Sequence, residues 1–180
     1  MTVSSSANLP TNNAVRHKIV VLGAAKVGKS SLITQFLYNT FSTKYKRTIE
    51  EMHHGDFNVA GVRLTLDILD TSGAYEFPAM RALSMQSADA FILVYDITDP
   101  DSFAEVRTLR DQIHETKAST AVPIVVVGNK VDLAETGERQ VLNLIFVQKI
   151  YLKVIYFCSM RTRSPSTLRF LSKLDFSTSL

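Results

Sequence analysis

The most informative part of this 180-residue chain is the octapeptide Gly23-Ala24-Ala25-Lys26-Val27-Gly28-Lys29-Ser30. It matches the pattern G-x-x-x-x-G-K followed by Ser or Thr, and it lies between an apolar run, His17–Leu22, and a helical run, Ser30–Tyr38. Glycines in such a loop let backbone N–H groups approach phosphate oxygens closely. Lys29 supplies a full charge for the β and γ phosphates, and the Ser30 hydroxyl suits Mg²⁺. The octapeptide therefore predicts a P-loop, which binds phosphate.

The rest of the chain alternates strand patterns with helix patterns. Apolar and polar residues alternate in Phe57–Val59 and Val62–Leu69, which predicts an antiparallel hairpin. Ala90–Tyr95 and Pro123–Val127 are almost continuously apolar, as buried parallel strands are, and a helix between them starts behind Asp99–Ser102. This order predicts an α/β fold, a doubly wound and mostly parallel sheet with one antiparallel edge strand.

A second motif, Asn129-Lys130-Val131-Asp132, follows Pro123–Val127 at the carboxyl edge of the predicted sheet, where ligands bind in open α/β folds. A carboxylate at Asp132 accepts hydrogen bonds from N1–H and the 2-amino group of guanine, and adenine lacks that donor pair. Asn129 is placed to address the other edge of the base. The two motifs together predict GTP or GDP as the ligand.

Two further elements lie between these motifs. Asp70-Thr71-Ser72-Gly73 ends the strand Val62–Leu69, so its carboxylate can hold Mg²⁺ through water beside a flexible glycine. In isolation the same residues would be an ordinary polar turn. Thr48 lies between the first helix and the hairpin, in a loop that could fold over the nucleotide.

These four elements, in this order, resemble the Ras-type small GTPases, P-loop NTPases with a Ras-like G domain, over about His17–Val141. The wording of Leu66–Gly73, followed by Phe77–Arg81, is most similar to the dexamethasone-induced Ras and Rhes branch. The resemblance implies that Thr48 joins Ser30 and Asp70 at Mg²⁺, that Gly73 contacts the γ-phosphate, and that both loops relax after hydrolysis. The implied nucleotide site consists of Gly23, Ala24, Ala25, Lys26, Val27, Gly28, Lys29, Ser30, Ser31, Tyr45, Thr48, Asp70, Gly73, Asn129, Lys130, Asp132, Leu133, Ser159, Met160 and Arg161.

The chain departs from the family at residues that set the hydrolysis rate. The family places a water-positioning Gln after the Gly of D-x-x-G, but this chain has Ala74, and a methyl group cannot orient a water. A β-carbon at Ala25 crowds the space that an arginine finger needs. With Lys29, Thr48, Gly73 and the degenerate Ala74 as its catalytic set, the chain is expected to be a slow GTPase unless a partner donates the missing group.

The sequence divides into a leader at 1–16 that is expected to be disordered, a GTP-binding domain at 17–140 and a divergent tail at 141–180. In the tail, Val154–Cys158 could form the last strand and Ser159–Thr162 a degenerate base loop. The alternative is that splicing or a frame change has replaced the end of the domain. A tail that prevents stable nucleotide binding would leave a non-enzymatic interaction protein, which is the second functional hypothesis.

Composition limits the partners. Hydrophobic residues make up 46% and charged residues 21%, as in ordinary globular proteins, and the net charge of +3 forms no basic block for nucleic acid. The termini carry no signal peptide, myristoylation glycine or prenylation cysteine, so a cytoplasmic monomer without an encoded lipid anchor is expected, at membranes only through partners. Effectors and regulators are expected at Thr43–Met52 and Asp70–Met85. Lys46 and Arg47 stand where Ras commonly has more acidic residues, so Ras effectors cannot be assumed.

Overall fold

The computed structural model of the chain describes residues 15–59, 62–73 and 78–135. These residues form one five-stranded sheet in the order β2-β3-β1-β4-β5, in which only the β2–β3 pair is antiparallel. The elements are β1 Val15–Leu22, α1 Lys29–Tyr38, β2 Glu50–Val59, β3 Val62–Thr71, α2 Pro78–Ser87, β4 Ala90–Asp96, α3 Pro100–Lys117, β5 Ile124–Asn129 and α4 Val131–Glu135. The predicted α/β class, with a mostly parallel sheet and one antiparallel edge strand, is confirmed.

Strand β1 lies in the middle of this sheet, and its side chains alternate between two cores. Ile19 and Val21 pack on the face covered by α1, whereas Val20 and Leu22 pack on the face covered by α2 and α3. The helices of the second face contribute Met85, Val106, Leu109 and Ile113. Because both faces are covered from Ile19 to Leu22, this part of the strand has no solvent-facing side, and its sequence is continuously apolar.

Helix α3 begins where the turn residues predict. The Asp99 carboxylate caps the helix by accepting hydrogen bonds from the N–H groups of Asp101 and Ser102, at 3.1 and 3.4 Å, and Pro100 occupies the first turn. The predicted helix is confirmed. Phe103, in the first turns of this helix, is exposed and packs edge-on against Tyr95.

Strand β2 is longer than the alternating pattern predicts. The pattern indicated a strand only from Phe57, whereas β2 begins at Glu50 and pairs with β3 along its whole length. An edge strand has one neighbour and exposes most of its side chains, so it lacks the apolar pattern on which the prediction depended. The loop that contains Thr48, predicted to extend from the first helix to the hairpin, therefore ends at Ile49.

Three other boundaries differ from the sequence prediction. Val15 and Arg16, assigned to the leader that was expected to be disordered, belong to β1 because they pair with β3. Asn129 is the last residue of β5 and not part of the following loop, and β3 continues to Thr71 beyond its predicted end at Leu69. The other leader residues, the tail and its strand Val154–Cys158 lie outside the described residues. No helix in the described part of the chain is long and apolar enough to cross a membrane.

A charged cluster joins β1, β3 and β2. Arg16 donates from Nε and Nη2 to the two carboxylate oxygens of Asp67 at 2.6 and 3.0 Å, and His54 Nδ1 lies 2.7 Å from Oδ1 of the same carboxylate. Partial burial alone would raise the pKa of Asp67, but the hydrogen bonds from Arg16 and His54 outweigh it. The pKa of Asp67 therefore lies below its usual value.

We expect Asp67→Asn to lower the melting temperature by a few degrees at about pH 7, because an amide cannot pair as an anion with Arg16 and His54. A folded-state pKa below the unfolded one gives stability that is present at neutral pH and is lost as the pH falls through the folded-state pKa. The difference from the parent should therefore shrink towards about pH 3 in thermal melts. Asp111→Asn, which removes an exposed acid paired with its neighbour Arg110, is the control. Equal changes in melting temperature for the two substitutions would contradict a stabilising role of the Asp67 ion pairs.

Candidate nucleotide-binding site

The predicted P-loop connects the end of β1 to the start of α1. Val27 is buried in the core and anchors the loop. Gly28 precedes the helix with φ at 99°, and a Cβ added there would lie 2.2 Å from Nδ2 of Asn129. Backbone conformation and lack of space therefore both require glycine at this position. The N-terminal N–H groups of α1 point towards the loop, which favours an anionic ligand.

Lys29 is the charged residue at the centre of this loop. Only 5% of it is exposed, and its Nζ donates hydrogen bonds of 2.8 Å to the carbonyl oxygens of Gly23 and Ala24. Burial lowers the pKa of Lys29 to about 8, although the nearby Asp70 carboxylate acts in the opposite direction. A phosphate group beside Nζ would favour the charged form of the lysine.

Three oxygen-bearing side chains from separate segments meet next to Lys29. The Ser30 hydroxyl donates to Oδ2 of Asp70 at 2.5 Å, and the hydroxyl oxygens of Ser30 and Thr48 lie 3.0 Å apart. Asp70 is 1% exposed, and its burial raises the pKa of its carboxyl group. The structure therefore brings together the three residues that the sequence nominated as Mg²⁺ ligands.

This group of oxygens fits a hard divalent cation. Oδ1 of Asp70 is buried without a hydrogen-bond partner among the residues that the structure describes, and the water of a hydrated cation would satisfy it. In the same residues, no cluster of three or more His, Cys, Asp or Glu side chains could hold a metal by itself. The remaining ligands of a cation here would be water and phosphate oxygens, as is usual for Mg²⁺.

Asn129 connects the guanine motif to the P-loop. Its side chain is buried, and Nδ2 donates a hydrogen bond of 2.7 Å to the carbonyl oxygen of Val27. Its Oδ1 accepts no hydrogen bond within the described ranges. The amide is therefore already bonded to the loop through one N–H, and its second N–H hydrogen and its Oδ1 remain available to the edge of a base.

The rest of the motif lies just after β5. Lys130 adopts a left-handed conformation, with φ at 66°, and its ammonium group contacts Oδ2 of Asp96 at 2.5 Å. The partly buried Asp132 belongs to the first turn of α4, and the N–H of Leu133 donates to the carbonyl oxygen of Lys130 at 3.0 Å. The ion pair with Asp96 thus holds the Lys130 side chain in place.

A cleft of about 630 Å³ lies between the P-loop, the segment 42–51 and the end of β3. Ala25, Lys26, Gly28, Lys29, Ser30, Ser31, Tyr45, Thr48, Asp70 and Gly73 are among its lining residues. The motif Asn129–Asp132 is not part of that lining, and it joins the cleft only through the bond from Asn129 to the P-loop. The predicted site thus has two parts, the cleft for the phosphates and the motif Asn129–Asp132 for the base.

Gly73 packs directly against the P-loop. A Cβ added to Gly73 would lie 2.3 Å from the backbone nitrogen of Ala25 and 2.5 Å from the carbonyl carbon of Ala24. Only glycine allows the end of β3 to approach this loop so closely. The contact places Gly73 beside the exposed methyl group of Ala25 at the phosphate end of the cleft.

Some nominated residues lie outside the described residues: Ala74, Ser159, Met160 and Arg161. Sequence reasoning in turn missed two residues that support the site. Tyr38 bonds through its hydroxyl to Nδ1 of the buried His53 at 3.1 Å, which ties α1 to β2, and Asp96 holds Lys130. Asp96 had a usable signal, because it follows the apolar run Ala90–Tyr95 and so lies at the same carboxyl edge as the other site residues.

Comparison with known proteins agrees with this geometry. The model of the Ras family matches residues 18–150. The chain therefore belongs to the Ras family.

Within the family it is similar to the GTP-binding protein Rhes, with 45% identity over 136 residues to the Mus musculus and Rattus norvegicus proteins and 44% to the Homo sapiens protein. The aligned part is 71% of this chain, and the chain spans about half (50%) of the length of these relatives. The predicted placement in the dexamethasone-induced Ras and Rhes branch is confirmed.

We expect Asn129→Ala to lower the free energy of unfolding by about 1–2 kcal/mol even without nucleotide, because the Val27 carbonyl loses its donor. Chemical denaturation of the nucleotide-free protein measures this. Asn129→Asp is a control of the same size that cannot donate to Val27, so it should be destabilised at least as much. A stability equal to that of the parent in both variants would show that this bond does not hold the P-loop to β5.

Proposed function

We propose that this chain is a Mg²⁺-dependent GTP-binding protein that acts as a signalling switch and hydrolyses GTP slowly. The convergence of the Ser30, Thr48 and Asp70 oxygens beside the buried Lys29 carries the proposal. Membership of the Ras family and similarity to a protein named GTP-binding protein Rhes support it.

In this proposal the phosphates lie over the P-loop. Lys29 neutralises the β and γ phosphates from its position between Gly23 and Ala24, and the N-terminus of α1 adds partial positive charge. Ser30 and Thr48 hold Mg²⁺ through their hydroxyls and Asp70 through water. A bound Mg²⁺ would supply positive charge that stabilises the phosphates.

Base selection falls to the motif after β5. The Asp132 carboxylate accepts from N1–H and the 2-amino group of guanine, while Asn129, fixed by its bond to Val27, addresses the opposite edge. Lys130, fixed by Asp96, and Leu133 line the space around the base. Ser159–Arg161 are proposed to contact the base from the other side.

Slow hydrolysis is attributed to two methyl groups. Ala74 cannot accept or donate a hydrogen bond to the attacking water, and the preceding Gly73 lies against the backbone of Ala25. The exposed Ala25 side chain occupies space that a partner's arginine would need. A partner that supplies the missing polar group would raise the rate.

Two segments supply the proposed surface for effectors and regulators, Thr43–Met52 and Asp70–Met85. Tyr45 and Ile49 are 61% and 68% exposed in the first, and Leu83 is 66% exposed in the second. Large exposed apolar side chains on segments that also reach the nucleotide site suit partners that distinguish GTP from GDP. We propose that the protein works as a cytoplasmic monomer which partners bring to membranes.

The alternative, a non-enzymatic interaction protein, gains no support within the described ranges. Lys29, Ser30, Asp70 and Asn129 are in place and make mutually consistent contacts.

Asp132→Asn tests the choice of base. In competition against a fluorescent guanine nucleotide with Mg²⁺, GTP should displace the probe from the parent far better than ATP does. The substitution should weaken GTP binding by on the order of a hundredfold, because the amide keeps only one neutral acceptor oxygen and turns a donor towards the donors of guanine. ATP binding should be unchanged. Asp111→Asn is the matched control on α3. Equal competition by ATP and GTP in the parent would overturn the proposal.

Ala74→Gln tests the cause of slow hydrolysis. We expect the single-turnover rate of GTP hydrolysis to rise by roughly tenfold with little change in affinity, because the amide can both donate to and accept from the attacking water. Ala25→Gly and the double variant show whether the Ala25 methyl limits the gain, and Ala104→Gln on the exposed face of α3 is the control. If neither single substitution nor their combination raised the rate, Ala74 would not be the cause.

A further inference from the structure

Lys26 and Tyr45 make a contact across the mouth of the cleft, and the proposed function leaves its role open. Nζ of Lys26 lies 5.8 Å from the centroid of the Tyr45 ring, within the range of a cation–π interaction. Both side chains are exposed and both line the cleft. The contact joins the P-loop to the segment that precedes β2, although these parts of the chain are separated by all of α1.

The backbone at Lys26 is in an uncommon conformation. Four non-glycine residues of the described ranges have positive φ: Lys26, Asn39, Ala118 and Lys130. Asn39 and Ala118 end helices, where this conformation is common, whereas Lys26 and Lys130 both belong to the nucleotide site. A left-handed backbone costs a lysine on the order of 1 kcal/mol, and residues in such conformations cluster at functional sites.

Lys26 lies at the end of the cleft that is proposed to hold the phosphates. It follows Ala25, which lies against Gly73, and its partner Tyr45 precedes Thr48, whose hydroxyl belongs to the oxygen cluster. A cation that holds Tyr45 therefore also limits how far Thr48 can move from Ser30. GTP brings one more charged phosphate to this end of the cleft than GDP, and a nearby cation attracts the added charge.

We propose that Lys26 is a specificity-determining residue that holds Tyr45 across the phosphate end of the cleft and favours GTP over GDP. The inference rests on the proposed function, because it assigns a role within the same site. In this inference, the ammonium group that closes the segment 43–48 over the triphosphate belongs to the P-loop itself.

Four substitutions separate the charge from the ring. Lys26→Met removes the charge and keeps the length, Lys26→Arg keeps a cation, Tyr45→Leu removes the ring and Tyr45→Phe keeps it. The measurement is the dissociation rate of a non-hydrolysable GTP analogue and of GDP, both with Mg²⁺. Lys26→Met and Tyr45→Leu should each raise the ratio of the analogue's dissociation rate to that of GDP by roughly three- to fivefold. Lys26→Arg and Tyr45→Phe should leave this ratio as it is in the parent.

Amide hydrogen exchange of residues 43–48 with the analogue bound gives a readout that does not depend on the rates. Exchange should be faster in Lys26→Met and Tyr45→Leu and unchanged in Tyr45→Phe. Melting temperatures of all variants with GDP check that the fold is intact.

Lys44→Met is the matched control, because it removes a second exposed lysine from the same cleft. If it shifted the ratio as much as Lys26→Met, the general charge of the cleft would set the preference and the inference would be wrong. A parent that binds both nucleotides while Lys26→Met leaves the ratio unchanged overturns the inference alone. A parent that binds neither nucleotide overturns the proposed function, and the inference with it.

Discussion

Strand β1 is hydrogen-bonded on both sides, to β3 and β4, and this central position fixes the P-loop at one edge of the sheet. Parallel strands end at the same edge, so the carboxyl ends of β1, β3 and β5 and the loops that begin there come together. Ser30 thereby meets Asp70, 40 residues away, and Val27 meets Asn129, 102 residues away. The site is assembled by strand pairing and not by local sequence.

The same arrangement buries charges that would be stable in water. Burial lowers the pKa of Lys29 to about 8 and raises the pKa of Asp70, so each side chain is pushed towards its neutral form. Phosphates would restore the charge on the lysine, and a divalent cation would restore it on the carboxylate. The fold holds these groups in an unfavourable environment that a Mg²⁺–nucleotide complex would relieve, and this suits a site that binds its ligand tightly.

One short segment links this interior to the surface. Thr48 carries a hydroxyl into the oxygen cluster, whereas its neighbours Tyr45 and Ile49 are largely exposed. The carbonyl oxygen of Ile49 accepts a hydrogen bond of 3.1 Å from the N–H of Ser72, which connects this segment to the end of β3. Under the proposed function, loss of the cation would therefore affect both exposed segments at once, as a switch requires.

The sequence by itself determined the fold class and nominated the residues of the proposed site. The octapeptide at 23–30, the motif at 129–132 and the apolar runs of β1, β4 and β5 are local patterns, each set by what one segment must bury or bind. Only the tertiary structure decided what depends on contacts between distant segments. It extended β2 back to Glu50, because an edge strand is defined by its partner and not by its own pattern. It also decided three contacts: the hydrogen bond from Asn129 to the Val27 carbonyl, the ion pair of Asp96 with Lys130 and the cation–π contact of Lys26 with Tyr45. The spacing of residues along a chain does not specify which side chains meet in space.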